Sequence, residues 1–276
     1  MRPELLTATE DQRQLLKYNP TAVVDIRLFG VNQFPYLEVR RPFILGTAEQ
    51  QWKPTISHLF AEVLHKKGLL RRMYTQNIDG LFQTIDVADG KIINVHGTLS
   101  KIECEFCGAA YPLEAFREEV RSKIRNIYDP SDVTAPSSSS NIFCNSCHRP
   151  GVKPATVMFG RNLPKIYWKS VSEDFPNNVD LLIIAGTSLT VAPACNLVND
   201  VSQGTPRILI NENKVGEELG LDFSENSRDV FLQGDCDAGF LSLILQLGWF
   251  EDLYSSRDKL CPASKALLEE ASTARS

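Results

Sequence analysis

Thr75-Gln76-Asn77-Ile78-Asp79, with His96-Gly97 a short way downstream, is the stretch on which the reading of this chain turns. The residues from Leu69 to Tyr74 lead into it, and the apolar run Ile92 to Val95 leads into the histidine. Both runs read as short buried strands of a parallel sheet, over 69–75 and 92–95. Ligands of an open α/β sheet bind just beyond the carboxyl ends of its strands. On this reading Gln76, Asn77, Asp79 and the imidazole of His96 line one crevice.

Outward from that stretch the pattern alternates between helix and strand. Pro54 to Lys67 reads as a helix, with proline in its first turn, an apolar stripe through Ile56, Leu59, Phe60, Val63 and Leu64, and Gly68 to end it. A short helix follows around Leu81 and Phe82. From Val179 the same alternation returns: a strand at Leu181 to Ala185, a loop Gly186-Thr187-Ser188-Leu189, a helix from Pro193 to Val201 and a strand at Arg207 to Ile210. This is a βαβ unit of ordinary loop lengths. A strand at Asp229 to Leu232 and a helix from Ala238 to Leu247 close the domain. Residues 251–276 read as a polar tail with one helix, Ser264 to Ala271. Residues 1–46 carry a turn or two of helix at Asp11 to Tyr18, after which Pro20, Gly30, Pro35 and Pro42 predict a broken chain.

Bulk properties bound the function. With 276 residues, 43% of them hydrophobic, the chain is long enough for one large domain and a small one. No segment reaches the roughly 18 consecutive apolar residues of a membrane helix, and the start Met1-Arg2-Pro3-Glu4 has no apolar signal core. A net charge of −5 argues against a broad nucleic-acid surface, though it leaves a basic protein tail as a possible substrate.

Residues 97–155 differ in character. Cys104-x-x-Cys107 and Cys144-x-x-Cys147 supply four soft thiolates, the donor set of tetrahedral zinc. The 36 intervening residues, 108 to 143, exceed the usual ribbon spacing of roughly 15–20. Doubling a closed loop costs only about 0.6 kcal/mol, so the gap does not exclude the site. Four unrelated cysteines, or His148 standing in as a ligand, are the alternatives. A site closed by four thiolates is structural rather than catalytic. Between the pairs lie an amphipathic helix, Leu113 to Tyr128, and a polar run, Ser137 to Ser140. Cys195, Cys236 and Cys261 have no partner at metal spacing.

The motifs in order resemble the sirtuin family: Thr75-Gln76-Asn77-Ile78-Asp79, His96-Gly97, the two cysteine pairs, Lys153-Pro154-x-x-Val157-x-Phe159-Gly160, Gly186-Thr187-Ser188-Leu189-x-Val191-x-Pro193, Ile210-Asn211 and Gly234-Asp235-Cys236. The resemblance spans about residues 50 to 245. It implies NAD-dependent protein-lysine deacetylation, in which the acyl oxygen displaces nicotinamide from NAD and a histidine takes a proton from a ribose hydroxyl. The products are free lysine, nicotinamide and O-acyl-ADP-ribose. His96 matches the general base, a task suited to imidazole. Gln76, Asn77 and Asp79 match nicotinamide and ribose contacts, although Asn77 read alone is equally a helix cap. Gly186, Thr187, Ser188, Asn211, Glu212 and Cys236 match the rest of the cofactor site. Val157, Phe159, Gly160 and Val191 match the substrate site, where a peptide adds as an extra strand. Each segment read alone is also an ordinary loop or core strand.

The expected architecture is therefore α/β: a discontinuous Rossmann-like NAD-binding domain over 1–96 and 156–250, a small zinc-binding domain over 97–155, and a polar tail over 251–276. The family's opening strand, with its Gly-Ala-Gly-x-Ser loop and the Gly-Ile-Pro-Asp-Phe-Arg stretch, finds no match. The first strand is thus expected to be missing and Met1 to follow that point. Two readings result: an active deacetylase with a late start, or a zinc-bearing binding module with impaired NAD binding. The motif forms match the nuclear and cytosolic deacetylase branch, which implies acetyl-lysine proteins such as histone tails or tubulin as substrates.

Overall fold

Residues 8–48 are largely helical in the computed structural model, which describes residues 8–48 and 52–275; this includes the expected turns at Asp11 to Tyr18 and also the stretch after them, where prolines predict a broken chain. Helix α1 (Glu10–Tyr18) starts at a capping box, with the Thr9 N–H donating to Gln12 Oε1 (2.9 Å) and the Gln12 N–H to Thr9 Oγ1 (3.3 Å). Helix α2 (Ile26–Val31) is capped by Asp25, and α3 (Phe34–Ala48) runs straight through Pro42. A proline inside a helix costs about 3 kcal/mol. Here Tyr36, Leu37 and Ile44 are buried from that helix, and their burial offsets the lost hydrogen bond.

Helix α4 (Ile56–Lys66) has the predicted stripe and buries Ile56, Leu59, Phe60 and Val63. Strand β1 (Met73–Thr75) is shorter than expected, because Leu69 to Arg72 lie outside the ladder; it pairs in parallel with β2 (Ile92–Asn94). Strand β3 (Gly97–Cys104) pairs antiparallel with β4 (Ala110–Tyr111) and β5 (Val152–Thr156). Helix α5 (Leu113–Lys123) stops five residues before Tyr128, at an extended Ile124. After α6 (Lys165–Asp174) come β6 (Leu182–Ala185), α7 (Leu197–Asp200), β7 (Arg207–Asn211) and β8 (Asp229–Gln233), then α8 (Cys236–Gln246), α9 (Phe250–Tyr254) and α10 (Pro262–Thr273). Strands β6, β7 and β8 form a parallel sheet in that order. The helix expected from Pro193 is a 3-10 turn, Ala194–Asn196, leading into α7.

The chain divides into two units, each with its own core. The first takes the described residues up to 48, Asn77–Gly80 and His96–Pro164; the second takes Trp52–Gln76, Leu81–Val95 and the residues from Lys165 on. Residues 8–48, expected in the large domain, join the first unit because Tyr36, Leu37 and Ile44 share a cluster with Phe116, Val120 and Ile124 around α5 and with Leu99 and Ile102 of β3. In the second unit the strands alternate with period two. Ile183, Ala185, Ile208 and Ile210 face α4 and α8, while Ile184 and Leu209 face Val198 of α7. Helices therefore cover both faces of β6-β7-β8, as the α/β pattern predicts. The parallel strands fall into two sheets, β1-β2 and β6-β7-β8, rather than one. Residues 251–276, read as a polar tail, instead contribute Leu253, Leu260 and Leu268 to the core around Phe60 and Ile244.

Two carboxylates tie the second unit internally. Asp229 accepts both Arg207 Nε (2.7 Å) and a terminal Arg207 nitrogen (2.5 Å), with both side chains buried. Glu62, also buried, accepts from Lys66 Nζ (2.6 Å), Lys259 Nζ (2.8 Å), the Asp86 N–H (2.9 Å) and Ser256 Oγ (3.1 Å). Burial alone would raise its carboxyl, but these donors outweigh that and bring it from 4.5 to about 2. A carboxyl depressed in the folded state contributes stability that is complete above its unfolded pKa and lost as pH falls toward its folded one. The Glu62 contribution, about 3 kcal/mol, is therefore present above pH 4.5 and disappears toward pH 2. Urea unfolding of wild type and Glu62→Gln is expected to differ most at neutral pH and to converge in acid; a gap independent of pH would assign the network no electrostatic role.

Candidate functional site

The four expected metal ligands converge. Cys104 ends β3, Cys107 follows one turn later, and Cys144 and Cys147 precede β5, so pairing of β3 with β5 brings both knuckles together. All four Sγ atoms lie within 4.8 Å of one another, with Cys104–Cys147 at 3.6 Å and Cys107–Cys144 at 3.7 Å. Tetrahedral zinc with bonds of about 2.3 Å requires sulfur separations of about 3.8 Å, so the set fits that ion. The Cys147 and Ser146 N–H groups draw the Cys144 thiol down to about 6, while burial pushes Cys104 up to about 12. A buried thiol of that kind ionises when a cation compensates it. His148 takes a left-handed backbone (φ 57°) just beyond Cys147 and is not part of the cluster.

His96 occupies the crossing from β2 to β3. The Val95 N–H donates to Thr75 O (2.9 Å), and the His96 carbonyl accepts from the Val157 N–H (2.8 Å). The next residue must be glycine. At Gly97 φ is +77°, and a Cβ there would stand 1.9 Å from the Ala155 carbonyl oxygen. Asn77, Ile78 and Asp79 belong to the same unit, fixed by the Leu99 N–H donating to Ile78 O (2.9 Å) and by Ile78 packing on the core.

Past β5 the chain makes the segment holding Val157, Phe159 and Gly160. Phe159 exchanges backbone bonds with residues 24–26: its N–H donates to Val24 O (2.9 Å) and its carbonyl accepts from Ile26 N–H (3.1 Å). The Arg161 N–H closes on Met158 O (3.0 Å), so Phe159 and Gly160 form the tip of a turn, with the Phe159 side chain half exposed. A core strand was the alternative reading of this segment; only the stretch up to Thr156 is strand. The motifs include Lys153 without giving its side chain a task, and they leave Glu105 out. Lys153 lies wholly buried and donates Nζ to the Pro154 (3.1 Å) and Thr156 (2.7 Å) carbonyls, bracing β5 where its register on β3 breaks. A lysine inside an apolar strand was the available signal, since buried lysine needs partners.

The second unit gathers the other candidates at the carboxyl ends of its strands. The Gly186 N–H donates to Ile210 O (3.1 Å) and the Gly234 N–H to Asn211 O (3.0 Å), so the loops after β6, β7 and β8 meet. Gly186 has φ +58°, and a Cβ there would lie 3.2 Å from Cys236 Sγ, leaving backbone open to a ligand. Ser188 Oγ lies 2.8 Å from Thr190 Oγ1, Thr187 Oγ1 accepts the Leu189 N–H (3.1 Å), and Gln76 Nε2 donates to Thr187 Oγ1 (3.3 Å). Glu212 and Val191 are exposed, and the Glu212 carbonyl accepts from Gln233 Nε2 (3.3 Å). Cys236 opens α8, its thiol held up by burial and by Asp235 and Asp237. Open backbone, hydroxyls and an amide at one end of a parallel sheet suit a dinucleotide's sugars and phosphates.

The model of the Sir2 family matches residues 11–193. NAD-dependent protein deacetylase sirtuin-2 of Danio rerio is 35% identical over 256 residues, covering 87% of this chain and 62% of the relative. NAD-dependent protein deacetylase hst2-2 of Emericella nidulans is 33% identical over 237 residues (86% and 60%), and hst2 of Schizosaccharomyces pombe 32% over 249 residues (90% and 66%). The chain thus spans about three fifths to two thirds of the length of these relatives. The match begins at residue 11, so it takes in α1 to α3, which the sequence motifs had not reached. The chain belongs to the Sir2 family.

Proposed function

We propose that this chain is an NAD-dependent protein-lysine deacetylase that moves the acetyl group of an acetyl-lysine to ADP-ribose, releasing nicotinamide. The observation that carries the reading is His96, held by its own main chain at the crossing between two strands in a family whose matched relatives bear that activity in their names. His96 acts as general base on a ribose hydroxyl. Gln76, Asn77 and Asp79 bind the nicotinamide and its ribose. Gly186, Thr187 and Ser188 receive the middle of the dinucleotide on open backbone and hydroxyls, while Asn211, Glu212 and Cys236 receive the adenosine. Val157, Phe159, Gly160 and Val191 bind the substrate, with the exposed Phe159 ring against the lysine stem. One zinc ion on Cys104, Cys107, Cys144 and Cys147 holds β3 to β5 and takes no part in the reaction. Acetylated proteins of the nucleus or cytoplasm, histone tails and tubulin among them, are the substrates this reading favours. No helix among the described residues is long and apolar enough to cross a membrane.

The test is nicotinamide release from NAD by the zinc-loaded chain, with and without an acetyl-lysine peptide. Release that requires the peptide is expected. Folded, zinc-loaded protein that releases none would sink the enzymatic reading and leave a binding module in its place.

A further inference from the structure

Three ionised side chains meet where the first cysteine knuckle touches the turn at 158–161. Glu105, between Cys104 and Cys107, receives Lys153 Nζ on one oxygen (2.9 Å) and Arg161 Nε on the other (2.6 Å). The Lys153 side chain has no exposure and Glu105 has 8%, whereas Arg161 keeps 49%. One carboxylate thus faces two cations. Lys153 suffices to neutralise Glu105 inside the protein, so the surplus positive charge of the trio emerges at Arg161. Arg27 is another cation near this turn, following Ile26, whose N–H binds the Phe159 carbonyl. Its guanidinium is closed on Asp25, Nε to Oδ1 (3.0 Å) and a terminal nitrogen to Oδ2 (2.7 Å), so that pair adds no net charge. The charge of Arg161 thus stays uncompensated within the trio, two residues from the exposed Phe159 ring.

Glu105 engages Arg161 chiefly through Nε, with one terminal nitrogen reaching the Glu105 carbonyl at 3.4 Å. A guanidinium carries five donors in a flat fork, so its outer edge remains available to a second carboxylate. We propose that Arg161 is a specificity-determining residue: it selects acetyl-lysine peptides with an aspartate or glutamate close to the modified lysine. The proposal rests on the reading of Val157 to Gly160 as the peptide-binding segment, and it ranks acidic surroundings of the lysine above basic tails.

Fluorescence anisotropy with three labelled acetyl-lysine peptides, alike except for Glu, Gln or Lys at the positions flanking the modified lysine, tests it on the zinc-loaded chain. The Glu peptide is expected to bind about fivefold tighter than the Gln peptide, as for an exposed ion pair, and the advantage to shrink with added salt. Arg161→Gln removes the preference and leaves affinity for the Gln peptide unchanged; Arg161→Lys restores part of it. Equal binding of the Glu and Gln peptides by wild type, or a preference that survives in Arg161→Gln, overturns the inference alone. If no acetylated peptide binds better than its unmodified counterpart, the peptide-binding reading of this segment falls and the inference with it.

Discussion

Cys144→Ser is expected to abolish zinc binding and to unfold the first unit. Zinc measured on wild type should be close to one per chain, and in the variant close to none. The size of the effect follows from where the cluster sits. Cys104 and Cys144 belong to the same buried cluster as Phe116, Ile142 and Val152, so the knuckles form one wall of that core. Binding by four thiolates contributes on the order of 10–16 kcal/mol in small zinc peptides, against about 5–15 kcal/mol for the stability of a whole domain. The loss should appear in near-ultraviolet circular dichroism as well as in metal content. Cys195→Ser is the control: Cys195 is buried among Ile184, Leu189 and Val198 in the second unit, and this substitution should leave zinc in place. A Cys144→Ser protein without metal yet as stable as wild type would remove zinc from the account of the fold.

His96→Ala is expected to lower peptide-dependent nicotinamide and acetyl-ADP-ribose formation by about 10²–10⁴-fold, the usual contribution of a positioned general base. The hydrogen bond that fixes this corner runs from the Val157 N–H to the His96 carbonyl, which alanine retains. The variant should therefore keep its fold, seen as a cooperative urea transition, and bind acetyl-lysine peptide with similar affinity. Its neighbour behaves differently. A side chain at Gly97 would push into the Ala155 carbonyl, so Gly97→Ala damages β3 and β5 themselves. Turnover within tenfold of wild type in His96→Ala would take the histidine out of the reaction.

The elements that sequence pattern made legible are those in which periodicity and local chemistry agree. The α4 stripe, the β6–β7 crossover and the two cysteine knuckles are of this kind, because spacing alone specifies what they bury or bind. The turns of helix at Asp11 to Tyr18 were legible, but residues 20–48 were not, since proline argues from local backbone preference, whereas α3 is held by tertiary burial of Tyr36, Leu37 and Ile44. The C-terminal residues looked polar because Leu253, Leu260 and Leu268 are spaced too widely to form an apolar run; Leu253 and Leu268 reach one core from two helices, and Leu260 from the connection between them. His96 and the loop glycines could be named from their order in the chain. The Lys153–Glu105–Arg161 trio could not, because residues 48 and 56 positions apart meet only once β3 and β5 pair.

The division of the parallel strands into two sheets bears on how the protein behaves at the bench. In a parallel ladder alternate residues bond to opposite sides. Met73 and Thr75 bond toward β2, and Leu182 and Gly186 toward β7, which turns the main-chain groups of Tyr74, Ile183 and Ala185 away from their own ladders. Among the described residues no strand takes them. Leu209, between β6 and β8, should keep its amide proton far longer in heavy water than Ile183 or Ala185. The same groups are templates for another extended chain, so self-association should rise with concentration and respond to salt less than surface charge contacts do. Purification of this protein is then a matter of keeping strand edges apart, and dilute stocks will outlast concentrated ones.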